Sequence, residues 1–128
     1  MPLTENEISR HVVDCAIEAH RTLGGPGLLE SVYQEAFVWE LARRGLPVQR
    51  QVLVPITYKG NRLKPHFRLD LIVDGTVIVE CKAVAQYHPI FEAQLLTYLR
   101  LTGLKLGMLI NFGEPTVTRG IRRVVNRL

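Results

Sequence analysis

The chain has 128 residues, 47% of them apolar and 22% charged, with a formal net charge of +4, which suits one domain around one main core. No apolar run approaches the roughly 18 residues that a membrane span needs, and the first ten residues, MPLTENEISR, lack the cationic start and apolar stretch of a secretory signal. The two cysteines, Cys15 and Cys81, form no CxxC pair and no zinc spacing, so reduced thiols and a cytoplasmic location are expected.

Thr4 and Glu7 have the spacing of a capping box, and Ile8, Val12, Cys15, Ala19 and Leu23 recur along one helix face. Gly24-Gly25-Pro26-Gly27 stops that helix; it lacks the GK[ST] of a phosphate-binding loop. A second helix is expected from about Leu28 to Arg44, with Leu29, Val32, Ala36, Phe37 and Leu41 inward and Gly45 as its C-terminal cap. Three strands follow. Gln49 to Tyr58 contains Pro55, the mark of an edge or a bulge. Lys59 to Arg62 turns the chain. Leu63 to Val73 is expected to be regular from His66 onward, and Asp74-Gly75 turns again into Thr76 to Val84. A helix from about Pro89 to Thr102 is bounded by Pro89 and Gly103. Lys105 to Phe112 is a short apolar strand, and the tail from Thr116 is a strand or a short helix. The last helix carries the chain to a parallel fourth strand. The expected fold is α/β, a mixed four-stranded sheet with helices on its faces and an extra helix at the N-terminus.

The stretch VIVECKAV, residues 77 to 84, sets Glu80 and Lys82 two apart in an apolar strand. A charge there is costly unless it is paired or binds a metal, and that spacing puts both on one side. In the preceding strand Asp70 shares a face with Arg68 and Ile72. A strict two-residue turn at 74–75 would leave Asp70 and Glu80 on opposite faces. A three-residue loop shifts the register by one, aligns the apolar sets Phe67, Leu69, Leu71, Val73 and Val77, Val79, Cys81, Ala83, and makes Asp70 and Glu80 neighbours. Two carboxylates beside a lysine suit Mg²⁺ or Mn²⁺, and equally an interior ion pair. On spacing alone both readings stand open.

Other residues are placed by their helices. Glu30 lies at the start of the second helix with Tyr33 one turn on, and Gln94 and Tyr98 share a face of the last helix. The final ten residues, RGIRRVVNRL, hold Arg119, Arg122, Arg123 and Arg127 and no acid. Such a tail suits phosphate-backbone contacts or is a solvated terminal segment. His66 and His88 flank the pair in sequence as a further ligand or base, or as surface histidines. His11 and His20 read as ordinary helix positions, and Trp39, off the apolar stripe, marks a candidate subunit contact.

With Gly27, Glu30 and Tyr33, the chain resembles the GxxExxY family, which is placed in the PD-(D/E)xK nuclease superfamily. Gln94 and Tyr98 resemble the Q-x-x-x-Y helix motif of its RecB-like and lambda-exonuclease-like branches. The resemblance runs from about Ile8 to Arg123 and implies a restriction-endonuclease-like core: helix, three strands, helix, strand. It implies that Asp70 and Glu80 bind the metal with the backbone carbonyl of Cys81, and that Glu30 completes the site directly or through water. Lys82 would orient the attacking water, and Gln94 and Tyr98 would steady the site or contact DNA phosphate. The cofactor would be Mg²⁺ or Mn²⁺ and the partner nucleic acid, DNA in the first place. Arg119, Arg122 and Arg123 are the candidate nucleic-acid contacts. No four-cysteine iron–sulfur set, helicase or separate DNA-binding domain accompanies these motifs, so a homodimer or protein partner would have to extend the footprint. No membrane partner is expected. Three functions follow: a metal-dependent nuclease, a non-catalytic nucleic-acid- or protein-binding module on the same fold, or a structural dimer whose carboxylates form ion pairs.

Overall fold

Thr4 opens helix α1 (Glu5–Thr22) through the expected capping box: Glu7 N–H donates to Thr4 Oγ1 at 3.2 Å and Thr4 N–H to Glu7 Oε1 at 3.0 Å. A cap of this kind contributes about 1 kcal/mol. Ile8, Val12, Cys15 and Ala19 are buried along α1. The structure, a computed structural model, describes residues 2–64 and 66–128. Met1, and Pro65 in the lead to the second long strand, lie outside the described residues.

Helix α2 (Glu30–Arg43) is rotated from the face expected of it. Its buried residues are Tyr33, Gln34, Phe37 and Leu41, whereas Leu29 is 74% exposed and Val32 is also exposed. The cause is Tyr33. Its hydroxyl donates to the Gly25 carbonyl at 2.6 Å and accepts from Leu28 N–H at 3.1 Å. Its ring stacks on Phe112 at 5.0 Å. Tyr33 therefore fastens the glycine-rich turn between α1 and α2 and turns its own side of α2 inward.

Beyond α2 come β1 (Val48–Val54), the small hairpin β2 (Thr57–Tyr58) and β3 (Asn61–Arg62), β4 (Phe67–Val73), β5 (Val77–Lys82), α3 (Ile90–Thr102), β6 (Leu106–Asn111), a 3-10 turn (Val117–Gly120) and β7 (Ile121–Val125). The main sheet has the order β1-β4-β5-β6-β7, with β5 and β6 parallel and the other pairs antiparallel. The expected four strands are thus extended by a fifth: the tail forms both the short helical turn and an edge strand. Pro55 ends β1, the other edge, because proline cannot donate to a ladder.

Helices cover both faces of the sheet. Leu71, Val73, Val77, Val79, Cys81 and Met108 pack toward α1 and α2. Ile72, Ile78 and Leu109 pack toward Leu95 and Leu99 of α3. Gly107 lets α3 press onto β6: a Cβ there would stand 2.7 Å from Leu95 Cδ1. Gly103, at φ 73, ends α3 in the left-handed conformation. Among the described residues no helix is long and apolar enough to cross a membrane.

Candidate active site

The β4–β5 connection has the odd length that the apolar pattern demands. Val73 pairs with Val77, so residues 74–76 form a three-residue loop. Thr76 N–H donates to the Val73 carbonyl at 3.0 Å, and Asp74 and Gly75 take φ of 53° and 66°. In this register Leu71 faces Val79, which sets Asp70 level with Glu80.

At that level the ordinary ladder gives way to side chains. Asp70 N–H donates to Glu80 Oε2 at 2.8 Å, and Cys81 N–H donates to Asp70 Oδ2 at 2.9 Å. Each carboxylate thus takes a hydrogen bond from the neighbouring strand's backbone. Charge-assisted bonds of this kind offset the cost of holding a carboxylate in a sheet. Glu80 is 7% exposed, and Asp70 is half-buried.

The faces of β4 differ from simple alternation. Leu71 and Val73 pack toward α1 and α2, but Phe67 and Leu69 join the α3 cluster, as does Ile72. The switch occurs around Asp70. On β1, Gln51 stands between Arg50, which pairs with Leu71, and Val52, which pairs with Leu69, and it takes φ 50. A left-handed residue inside a strand twists the pair locally, so Phe67, Leu69, Leu71 and Val73 do not form the single face expected of them. Such a conformation costs about 1–3 kcal/mol and is a common companion of functional sites.

The electrostatics centre on Asp70. Burial, and then the Asp70 charge, push the Glu80 carboxyl up to about 8, against the lowering effects of the Asp70 N–H bond and Lys82. Glu30 stands exposed at the first position of α2. Partial desolvation and then the Asp70 charge raise its pKa, with Lys82 opposing. Burial, then Glu80 and Asp70, raise the Tyr98 phenol. Asp70, Glu80, Glu30, Lys82 and Tyr98 therefore share one electrostatic neighbourhood. Gln94, one turn before Tyr98, is exposed.

The donor set fits a hard divalent ion. It is all oxygen, it carries more negative than positive charge, and each carboxylate raises the energy of its neighbour, a repulsion that a dication relieves. Among the described residues no three of His, Cys, Asp and Glu are gathered as a preformed metal cage. The adjacent pair is Asp70 and Glu80, the count with which Mg²⁺ commonly completes its shell from water. The Cys81 side chain is fully buried in the α1/α2 core, and burial pushes its thiol well up. The Cys15 thiol, also buried, is pushed up to about 11. Neither is poised as a nucleophile.

Two aromatic residues that the sequence reading passed over organise Lys82. Its Nζ lies 4.7 Å from the centre of the Phe91 ring. Phe91 meets Tyr87 edge-on at 5.7 Å, and Arg122 lies 5.2 Å over the Tyr87 ring. The available signal was an aromatic pair four residues apart immediately after the ExK stretch. Tyr98 meets Phe67 edge-on at 4.9 Å.

The terminal arginines separate. Arg122 pairs across to Leu109 and lies on the α3 side, whereas Arg123 pairs with Met108 and turns to α1, bonding Ser9 Oγ at 3.3 Å and Asn6 Oδ1. Arg119 is exposed, and its carbonyl accepts from Arg122 at 2.8 Å. The three do not form one surface. His88 Nδ1 accepts from Ile90 N–H at 3.0 Å at the start of α3, and His66 is exposed. His20, a helix position as expected, is buried in α1, with Nε2 3.1 Å from the Phe112 carbonyl. Trp39 is exposed beneath the Arg43 guanidinium. A cavity of about 670 Å³ lies beside Arg100, Lys105 and Arg127. It adjoins the start of β6, the opposite end of the sheet from Lys82.

A family model described as the PD-(D/E)XK nuclease superfamily matches residues 6–124 of the chain. No curated protein and no solved structure matches it.

Proposed function

The chain belongs to the PD-(D/E)XK nuclease superfamily, and from that premise we propose that it hydrolyses phosphodiester bonds, those of DNA in the first place, with Mg²⁺ or Mn²⁺. The observation that carries this is the reciprocal bonding of Asp70 and Glu80 across β4 and β5, with Lys82 two residues further along β5. Within the superfamily we assign the chain to the GxxExxY family, close to the RecB-like branch. Gly27, Glu30 and Tyr33, and then Gln94 and Tyr98, support this.

Asp70, Glu80 and the Cys81 carbonyl would hold the ion, with Glu30 reaching it directly or through water. When bound, the ion supplies charge that activates water and offsets the negative charge of the phosphoryl group. The protein residues do the rest. Each carboxylate is oriented by a backbone N–H, so its remaining oxygen is directed without a reorganisation cost. Lys82, resting on Phe91, orients the attacking water and offsets the charge that develops on phosphate. Tyr98, beside the carboxylates, steadies the pair, and Gln94, exposed on the same helix, is available to substrate.

One observation favours a second reading, a non-catalytic binding module: only two acidic residues converge closely among the described residues. Incubation of labelled DNA and RNA with the full chain in Mn²⁺, Mg²⁺ or EDTA separates the two. Cleavage that needs metal and is lost in both Asp70→Ala and Glu80→Ala supports the nuclease. Equal cleavage by wild type and variants, or none by wild type, removes it.

A further inference from the structure

We propose that the β2–β3 hairpin is a phosphate-backbone clamp that holds nucleic acid against the Lys82 end of the sheet. The inference deepens the nuclease reading and rests on it for the identity of the polyanion.

The first observation is charge. From Gln51 to Leu69 there is no Asp or Glu, whereas Lys59, Arg62, Lys64 and Arg68 are all basic. All four are exposed. Among the described residues the ion pairs involve Arg21, Arg44 and Arg50, and none of these four. A cluster of like charges repels itself unless an anion neutralises it.

The second observation is shape. Thr57 pairs with Arg62 and Tyr58 with Asn61 around Lys59-Gly60, whose φ values of 48° and 80° make a tight hairpin turn. Leu63 N–H donates to the Ile56 carbonyl at 2.8 Å and closes the base. Residues 57–64 are all exposed, so the arm has no core of its own to serve. Its tip carries Tyr58, 57% exposed, with Lys59 Nζ 5.4 Å over the ring. An aromatic face beside cations is the composition that contacts nucleic-acid strands.

The third observation is position. The arm leaves the sheet between Val54 and Phe67, which pair with each other. β4 and β5 run antiparallel, β4 beginning at Phe67 and β5 ending at Lys82, so the start of β4 and the Lys82 end of β5 lie at the same end of the sheet. The arm therefore leaves the sheet at its Lys82 end, the end where the carboxylates gather. Phe67 at its base touches Tyr98 of α3 at 4.9 Å. Carboxylates repel a polyanion, and cations beside them are what allow it to approach.

The test is binding of fluorescein-labelled duplex and single-stranded DNA by the full chain in EDTA, followed by anisotropy across a salt series. Lys59→Ala/Arg62→Ala/Lys64→Ala is compared with wild type and with a control of equal charge loss, Arg10→Ala/Arg100→Ala/Lys105→Ala. The arm variant is expected to bind at least tenfold more weakly at 100 mM salt. Its log–log salt slope on duplex should be shallower by about 2.7, since each of the three lost phosphate contacts removes about 0.9. The control should lose no more than about threefold. Unchanged binding by the arm variant, or equal loss in the control, overturns the clamp. Lys59→Glu, a single change at the turn, must shift affinity in the same direction, so a misfolded triple variant does not decide the matter. Cleavage in Mn²⁺ is scored separately: wild type that binds through the arm but does not cleave keeps the clamp and removes the nuclease. Wild type that cleaves while the arm variant binds normally does the reverse.

Discussion

Asp70 and Glu80 are joined across β4 and β5 by a hydrogen bond of 2.8 Å from the backbone of the first to the carboxylate of the second. The bond keeps the glutamate in place with or without an ion, and burial with the Asp70 charge raises its pKa to about 8. The folded state therefore retains a proton that the unfolded chain, near 4.5, has released. That contribution to stability is complete below the unfolded value and is lost as pH rises toward 8. Metal-free protein should lose stability between about pH 5 and 8. Glu80→Gln, which cannot ionise, should escape that loss and be more stable than wild type at pH 9 by on the order of 2 kcal/mol. Thermal melts across pH in EDTA measure both, and a flat wild-type profile contradicts the coupling.

Metal uptake should follow the same proton. Below pH 8 an ion binding Glu80 must displace it, so Mn²⁺ affinity should rise about tenfold per pH unit there and level off above. Calorimetric titration in two buffers of different ionisation enthalpy counts the released proton. Uptake without proton release would place the ion elsewhere.

Phe91 should matter to turnover and not to metal. Its ring lies 4.7 Å from Lys82 Nζ, a contact of about 0.5–2 kcal/mol. Phe91→Ala is expected to lower the rate of metal-dependent cleavage about 3- to 20-fold while Mn²⁺ affinity stays within twofold. Lys82→Met should abolish cleavage and also leave metal bound. A fall in metal affinity equal to the fall in rate would show that the ring supports the whole site.

Tyr33→Phe should cost about 1–3 kcal/mol in urea unfolding, because two hydrogen bonds to the Gly25–Leu28 turn are lost while the Phe112 stack is kept. An unchanged midpoint would mean that the turn is held by its glycines alone.

Gln51→Val tests the twist opposite Asp70. Valine suits a regular strand, so ordinary propensity favours it. At φ 50 a β-branched side chain is strained, and the variant should be destabilised by about 1–2 kcal/mol. A stabilised variant would show that the strand relaxes there freely.

The parts of the molecule legible in the sequence are those set by local rules. The Thr4–Glu7 box marks the start of α1, Pro89 and Gly103 bound α3, and two apolar sets together select the register that joins Asp70 to Glu80. What escaped reading depends on long-range contact. The α2 face turns on a tyrosine bonded to a carbonyl eight residues earlier. The face switch in β4 follows from a backbone angle on β1, and no propensity places glutamine at positive φ inside a strand. The tail arginines look like one cluster along the chain, yet a strand sends Arg122 and Arg123 to opposite faces. Lys82's aromatic seat required knowing that α3 folds back over β5.

Asn111 closes the sheet beyond its last paired residues. Its side-chain oxygen accepts from Val84 N–H at 3.0 Å, and its amide donates to the Val84 carbonyl at 3.1 Å, so one side chain imitates a strand's backbone for one more residue. Val84 lies outside β5, in a segment whose amides would ordinarily exchange with solvent within the fraying regime. Held this way, its amide should exchange with the slow cooperative unit of the central strands, so that the chain two residues past Lys82 opens only when the middle of the protein does.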